Sequence, residues 1–238
     1  MINNKITVVT VTFNNAMGLE KTLNSLQCCN TKPKRIIVVD GGSIDSTKKV
    51  VRRYQKNLSI LFISEKDQGI YDAMNKGRAI LRTPLVHYLN AGDVVFGDPY
   101  LNCEDVGILE VIVRDPESQR EWPDFIKLSG YGYCHQGLIL PSDHKDYNIN
   151  YRIAADFDLI SKSFPKGLGS LPVFKSGYVI YELGGVSSEY SSLGDLEILS
   201  SAIRNLSNFN YLKIYIFLKI KKLIPRILRR YFAFSLLY

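Results

Sequence analysis

Apolar positions in the first ninety residues fall into two alternating kinds of run. Continuous, largely β-branched runs occupy 6–11, 35–39, 58–63 and 85–89. Runs of that length and composition fit short strands buried on both faces. Between them, apolar residues recur at helical spacing: Leu19, Leu23 and Leu26, then Val50, Val51 and Tyr54, then the segment 72–81. Asn14-Asn15 ahead of the first and Asp45-Ser46 ahead of the second offer side-chain oxygens to helix N–H groups that lack partners. Strand and helix alternating over short connections predicts βαβ units, and hence an α/β domain with a mostly parallel sheet wound right-handed.

Beyond Asp93 the rhythm changes. Residues 106–113 read as a strand, 115–123 as a polar loop, and 130–140 as an aromatic, Gly-rich run ending in a strand at 137–140. A helix over 154–164 and a strand region over 173–183 follow. No internal repeat or low-complexity linker interrupts the chain, so 238 residues suit one sizeable core with a C-terminal appendage.

Composition changes this picture at two points. A hydrophobic content of 46% with 22% charged residues belongs to a folded chain and excludes disorder as the default. Cys28, Cys29, Cys103 and Cys134 form no C-x-x-C pair and have no His at metal-ligand spacing, and a polar start running straight into a strand is not a signal peptide. A reducing cytoplasm is expected.

Charge is distributed unevenly. Lys213, Lys219, Lys221, Lys222, Arg226, Arg229 and Arg230 meet no acid in 211–238, while the other 23 basic residues balance the 23 acidic ones. On a helical wheel Lys219, Lys222, Arg226, Arg229 and Arg230 share one sector, and Leu218, Ile220, Leu223, Ile224, Ile227 and Leu228 lie largely outside it. No uncharged apolar run there approaches the ~20 residues of a spanning helix. The expectation is a basic amphipathic helical tail, kinked near Pro225, lying on an anionic membrane surface with Tyr215, Phe217, Phe232 and Phe234 at the interface. The alternative is a C-terminal helix packed on the domain with a solvated basic face. Confinement of the basic residues to this segment argues against a nucleic-acid partner.

Several carboxylates stand where strands end. Asp40 and Asp45 flank Gly41-Gly42, where a carboxylate can accept from a base N–H or a ribose hydroxyl, or else finish a strand and cap a helix. Phe13 either stacks on a base or joins the core. Asp93 follows Asn90-Ala91-Gly92 and offers a hard oxygen to a divalent cation bridging a diphosphate, or serves as a turn aspartate. Asp156 and Asp158 flank Phe157 at a helix start, where the dipole favours the ionised form that a general base requires; Asp156 suits the N-cap equally well. His135 could bind an acceptor hydroxyl, a phosphate or a metal, or be structural, and no function is assigned to His87 or His144.

In order, these stretches resemble glycosyltransferase family 2, in particular its bacterial polysaccharide and colanic-acid type members. Thr10-Val11-Thr12-Phe13-Asn14 is similar to the opening strand motif, Val38 to Thr47 to the nucleotide-binding motif, and Asp67-Gln68-Gly69-Ile70-Tyr71-Asp72-Ala73-Met74-Asn75-Lys76-Gly77 to the polysaccharide signature. Tyr88-Leu89-Asn90-Ala91-Gly92-Asp93 stands at the Asp-x-Asp position and Ala155-Asp156-Phe157-Asp158-Leu159 at the acidic base motif. The resemblance covers roughly 5–160 and implies a Rossmann-like GT-A fold over 1–210, with a nucleotide-binding half (about 1–98) and an acceptor half (about 99–210), followed by the 211–238 tail.

It implies that Thr12, Phe13, Asp40, Asp67, Asn75 and Asn90 hold a nucleotide-sugar donor (UDP-sugar favoured), that Asp93 coordinates Mg²⁺ or Mn²⁺, and that Asp156 takes the acceptor proton in an inverting transfer. His135 and Asp158 are candidates for acceptor or phosphate contact. With the tail, it implies a polyprenyl-diphosphate-linked glycan acceptor of the O-antigen, capsule or exopolysaccharide kind at the inner face of the bacterial membrane. Asn90, Gly92 and Ala155 replace acids of the family pattern, which leaves a catalytically inactive sugar-nucleotide-binding or membrane scaffold subunit as the alternative. A nucleotidyltransferase would need a Gly-rich basic loop after the first strand, and a dinucleotide oxidoreductase a G-x-G-x-x-G there; Thr12-Phe13-Asn14-Asn15-Ala16 is neither.

Overall fold

Both halves of the sheet are built outward from β1 (Ile2–Thr12), whose side chains alternate between two cores. Ile6 and Val8 face one side; Val9 and Val11 face the other. The computed structural model describes residues 1–124, 130–184 and 191–223.

β1 pairs in parallel with β2 (Lys32–Asp40) and β4 (Leu85–Tyr88), and β2 in parallel with β3 (Ile60–Ser64). The register brings Thr12 beside Asp40 and Asp40 beside Ser64, so the three strands finish on one edge. α1 (Ala16–Cys28) and α2 (Thr47–Tyr54) cover one face through Leu19, Leu23, Leu26, Val50, Val51 and Tyr54. α3 (Ile70–Ala79) covers the other through Ala73 and Met74. It packs closely: a Cβ at Gly77 would lie 2.6 Å from Val9 Cγ1, so this contact admits only glycine without a shift.

The sheet as a whole is mixed rather than mostly parallel. β5 (Val94–Gly97), β6 (Gly107–Arg114), β7 (Glu121–Pro123), β8 (Leu138–Pro141) and β9 (Val173–Glu182) complete nine strands among the described residues, in the order β3-β2-β1-β4-β8-β6-β9-β5, with β7 on β6. β8 is antiparallel to β4 and β6, β7 to β6, and β5 to β9; β6 and β9 are parallel. After β4, loops and hairpins replace regular crossover helices, and antiparallel pairing needs no crossover. β7 falls inside the stretch expected to be a loop, and β5 was not foreseen.

Three further helices pack into the core that α3 covers: α4 (Ala155–Ser163), α5 (Ser191–Asn205) and α6 (Asn208–Leu223). α6 runs through the expected boundary at 210/211 and buries Ile214 and Leu218 in the same core as Phe157, Leu159 and Ile160. Its opposite side leaves Phe209, Leu212 and Ile216 exposed, with Lys213 over the Phe209 ring and Lys219 over the Tyr215 ring. Among the described residues no helix is long and apolar enough to cross a membrane. Pro225, Arg226, Arg229, Arg230, Phe232 and Phe234 lie outside the described residues. All four cysteines are free.

Candidate active site

The carboxyl-end edge is braced by short-range polar contacts before any ligand arrives. Asn15 caps α1 by accepting from Gly18 N–H (3.0 Å) and donates to the Ala91 carbonyl (3.1 Å). Asn14 N–H donates to Ser43 Oγ (2.7 Å) and its side-chain oxygen accepts from Ile44 N–H (3.0 Å). Asp45 accepts from Ala16 N–H and from both the N–H and hydroxyl of Thr47. The loops after β1 and β2 are thereby fixed to one another.

Asp40 lies behind this edge, not on it. Its buried carboxylate accepts from the Ser43 N–H and hydroxyl and from Ser64 Oγ (2.7 Å), and it does not line the cavity. In front of it, Phe13 and Asp67 converge on Gly41, where a Cβ would stand 2.5 Å from Asp67 Oδ2 and 3.2 Å from the Phe13 ring. The Phe13 ring is 63% exposed on the cavity wall, which removes it from the core and leaves a face free for a planar ligand.

The signature turn has its own bracing. Gly69 sits at φ +118°, a left-handed conformation that other residues adopt at a cost. Asp67 Oδ1 accepts from Gly69 N–H (2.9 Å), Asp72 from Gln68 N–H (3.0 Å), and Lys76 reaches both Glu65 and Asp72. Asn75 is turned away from the cavity and clamps the Tyr147 backbone, donating to its carbonyl (2.9 Å) and accepting from its N–H (2.8 Å). Asp67 thus lines the cavity, whereas Asn75 ties α3 to the Tyr147 loop.

Asp93 is 5% exposed and lines the cavity, and burial pushes its carboxyl up to about 8. Glu182 N–H and the Gln136 amide act against that rise, while the Glu182 charge adds to it. Asn90 Oδ1 is buried without a hydrogen-bond partner. A carboxylate short of positive charge and an orphaned amide oxygen are hard donors that suit a small divalent cation completing its shell with phosphate oxygens. Among the described residues no group of three or more His, Cys, Asp or Glu forms an all-protein metal cage, so a cation here would be held jointly with a ligand.

Asp156 occupies the first turn of α4 and is partly exposed on the same cavity, of about 1090 Å³. Burial raises its carboxyl to about 6, against the lowering effect of Phe157 N–H (2.7 Å) and the Tyr71 hydroxyl (3.5 Å). It is not the N-cap. That position belongs to Ala154, and the N–H groups of the turn leading into the helix are satisfied from α5: Glu197 accepts from Arg152 (2.8 Å), Ile153 (2.8 Å) and Ala154 (2.9 Å).

Two residues considered for acceptor or phosphate contact are engaged by other side chains of the protein. Asp158 lies two residues from Asp156, about 200° around the helix, and is spent on Lys162, Ser201 and Asn205 between α4 and α5. His135 does line the cavity, but its Nε2 meets the Tyr147 hydroxyl (2.6 Å) and burial pushes its pKa down to about 3. It is a neutral imidazole, unsuited to attracting a phosphate by charge. His87 is equally structural, bonded to Tyr100 and the Gln136 carbonyl. Glu197, Gln136 and Tyr71 are the site's unforeseen members; of the three, only Tyr71 lay within a recognisable motif.

Residues 7–101 match the family Glycosyl transferase family 2. That stretch carries the chain's likeness to the family. Similar proteins include the validoxylamine A glucosyltransferase of Streptomyces hygroscopicus subsp. limoneus, 34% identical over 100 residues that cover 40% of this chain and 22% of the relative. The PGL/p-HBAD biosynthesis glycosyltransferase of Mycobacterium bovis (strain BCG / Pasteur 1173P2) is 26% identical over 177 residues, covering 66% and 68%. The chain therefore spans about a fifth of the first relative's length and two thirds of the second's.

Among solved structures, S. aureus TarS 1-349 superposes with a TM-score of 0.64 at 15% identity, covering 88% of this chain and 69% of that one. The mannosyltransferase PcManGT from Pyrobaculum calidifontis, in complex with GDP-Man and Mn²⁺, gives 0.60 at 15%, covering 84% and 64%. These are likenesses of fold, and the fold is GT-A.

Proposed function

We propose that the chain is an inverting glycosyltransferase that moves a sugar from a nucleoside-diphosphate donor, a UDP-sugar in preference, to a hydroxyl of a polyprenyl-diphosphate-linked glycan. The observation that carries this reading is one cavity holding both a donor edge, Phe13, Asp67, Asn90 and Asp93, and a carboxylate suited to proton acceptance, Asp156. Residues 1–98 serve the donor, 99–210 the acceptor, and 211–238 the membrane surface. TarS has been captured with UDP and with UDP-GlcNAc, and PcManGT with GDP-Man and Mn²⁺, which supports a nucleotide-sugar ligand for this chain.

Phe13 stacks on the base, the Thr12 hydroxyl, buried and without a partner, takes a donor hydroxyl, and Asp67 orients the ribose or sugar. Asp93 and Asn90 would hold a Mg²⁺ or Mn²⁺, which when bound would supply positive charge to offset that of the leaving diphosphate. Asp156, ionised above about pH 6, takes the proton of the acceptor hydroxyl, whose oxygen attacks the anomeric carbon while the bond to the diphosphate breaks on the opposite side. The configuration inverts in one step. Asp40 and Asn75 act indirectly, by holding the Ser43 loop and the Tyr147 loop.

Exposed Phe209, Leu212 and Ile216, with Lys213 and Lys219 beside them and no acid after Glu197, support docking on an anionic cytoplasmic leaflet. Sedimentation with phosphatidylglycerol vesicles, lost on Leu212→Asp/Ile216→Asp, tests that part. The reaction is tested by nucleoside diphosphate release from UDP-, GDP- and dTDP-sugars with membrane extract as acceptor source. Release with one donor, absent in Asp156→Asn, is the expected result; donor binding with no release in any combination would make the chain a binding module.

A further inference from the structure

The signature helix reaches across to the acceptor half through two side chains one turn apart, Tyr71 and Asn75. The Tyr71 hydroxyl donates to the Ile153 carbonyl at 2.7 Å and stands 3.5 Å from Asp156 Oδ1. Its ring stacks on Tyr147, with centroids 5.6 Å apart and planes 22° apart. Tyr147 is itself immobilised, its backbone by Asn75 and its hydroxyl by His135 Nε2. Tyr71 therefore cannot swing away from Asp156 without breaking the stack.

We infer that Tyr71 is a positioning residue for the transfer: its hydroxyl orients the Asp156 carboxylate toward the cavity and favours its ionised form, joining the donor turn to the proton acceptor. This rests on the reading of Asp156 as the base. The hydroxyl has one proton and two acceptors within reach. An ionised carboxylate is a stronger acceptor than a carbonyl, and catalytic hydrogen bonds that are long without ligand tighten in the complex. Burial holds the Tyr71 phenol well above its ordinary pKa, so it remains a neutral donor. The other titratable groups acting on Asp156 are Glu197 from α5, Tyr147 and Cys134, and Arg152 also lines the cavity. Tyr71→Phe alters none of these side chains.

The test is a titration of the full chain labelled with ¹³C-carboxyl aspartate, the Asp156 resonance assigned by its loss in Asp156→Asn, alongside the pH profile of nucleoside diphosphate release. In Tyr71→Phe the Asp156 midpoint and the acid limb of kcat should both move up by about 0.5–1 pH unit, with kcat down about tenfold and donor KM within about twofold. Tyr147→Phe removes a neighbouring buried hydroxyl and should leave the midpoint in place. Should Tyr71→Phe fail to fold, 3-fluorotyrosine at position 71 keeps the ring and donates more strongly, so the midpoint should move down. A midpoint unmoved by either change overturns the role of Tyr71 while the base assignment stands. Turnover surviving Asp156→Asn overturns the base itself, and the inference with it.

Discussion

The donor half and the acceptor half are held together by different means. In the donor half the polar contacts that shape the site are local or join adjacent loops: Asn15 to Gly18, Asp45 to Thr47, Asp67 to Gly69, Asp40 to Ser43. In the acceptor half they join residues more than forty positions apart and are buried or half-buried: Glu197 to residues 152–154, Asn205 to Asp158, Asn75 to Tyr147. A loop braced by its own neighbours forms wherever its strand ends, whereas a loop braced from forty or more residues away depends on the completed fold. The donor edge rests mainly on local contacts, with Asn15 to Ala91 as its long-range tie, whereas the acceptor wall rests on tertiary ones.

The largest test of this contrast is chemical. Asp156→Asn should lower kcat by roughly 10²–10⁴-fold, as for loss of a general base, with donor affinity retained because the donor edge does not use Asp156. Asp93→Ala should act on the other half, lowering turnover by roughly 10²-fold and abolishing stimulation by added Mg²⁺ or Mn²⁺. Isothermal titration with the nucleoside diphosphate, with and without Mn²⁺, separates the two: metal-dependent affinity should fall in Asp93→Ala only.

Stability should follow the same division. Glu197→Ala leaves three N–H groups without their charged acceptor and should cost about 2–4 kcal/mol in urea unfolding. Asp45→Ala, at an exposed cap, should cost about 1 kcal/mol. Equal losses would break the comparison. The pH dependence supplies a further test. The Asp156 carboxyl is raised from 3.8 to about 6 in the fold, so between those values the folded chain binds more protons than the unfolded one. Its contribution therefore lowers stability as pH rises from about 4 to 6, and the slope of urea midpoint against pH in that window should flatten in Asp156→Asn.

This contrast also explains which parts could be read in advance. β1 to β4, α1, α2 and α3 were legible because β-branched runs, helical spacing and cap residues all act within a few positions, and the family match covers the same stretch. α5 was not. Its buried face carries Asp195, Glu197 and Ser201 while Leu196 and Ile203 are 64% and 63% exposed, the reverse of the pattern that marks an amphipathic helix. β5 and β7 are four and three residues long, too short to show a period, and owe their existence to partners on β9 and β6. Among the candidate residues, Asp93 and Asp156 line the cavity while Asp40 and Asn75 face inward, a difference of side-chain direction that no motif spacing contains.

The reach of Glu197 back to residues 152–154 has a consequence for how the protein comes into being. During synthesis the donor edge can assemble as soon as β4 and its loop have emerged, but α4 acquires the partner for its leading amides only when α5 has been made, more than forty residues later. A nascent or truncated chain ending before position 197 can therefore present a finished nucleotide edge next to an unfinished acceptor wall. The wall that carries Asp156 is among the last parts that the growing polypeptide completes.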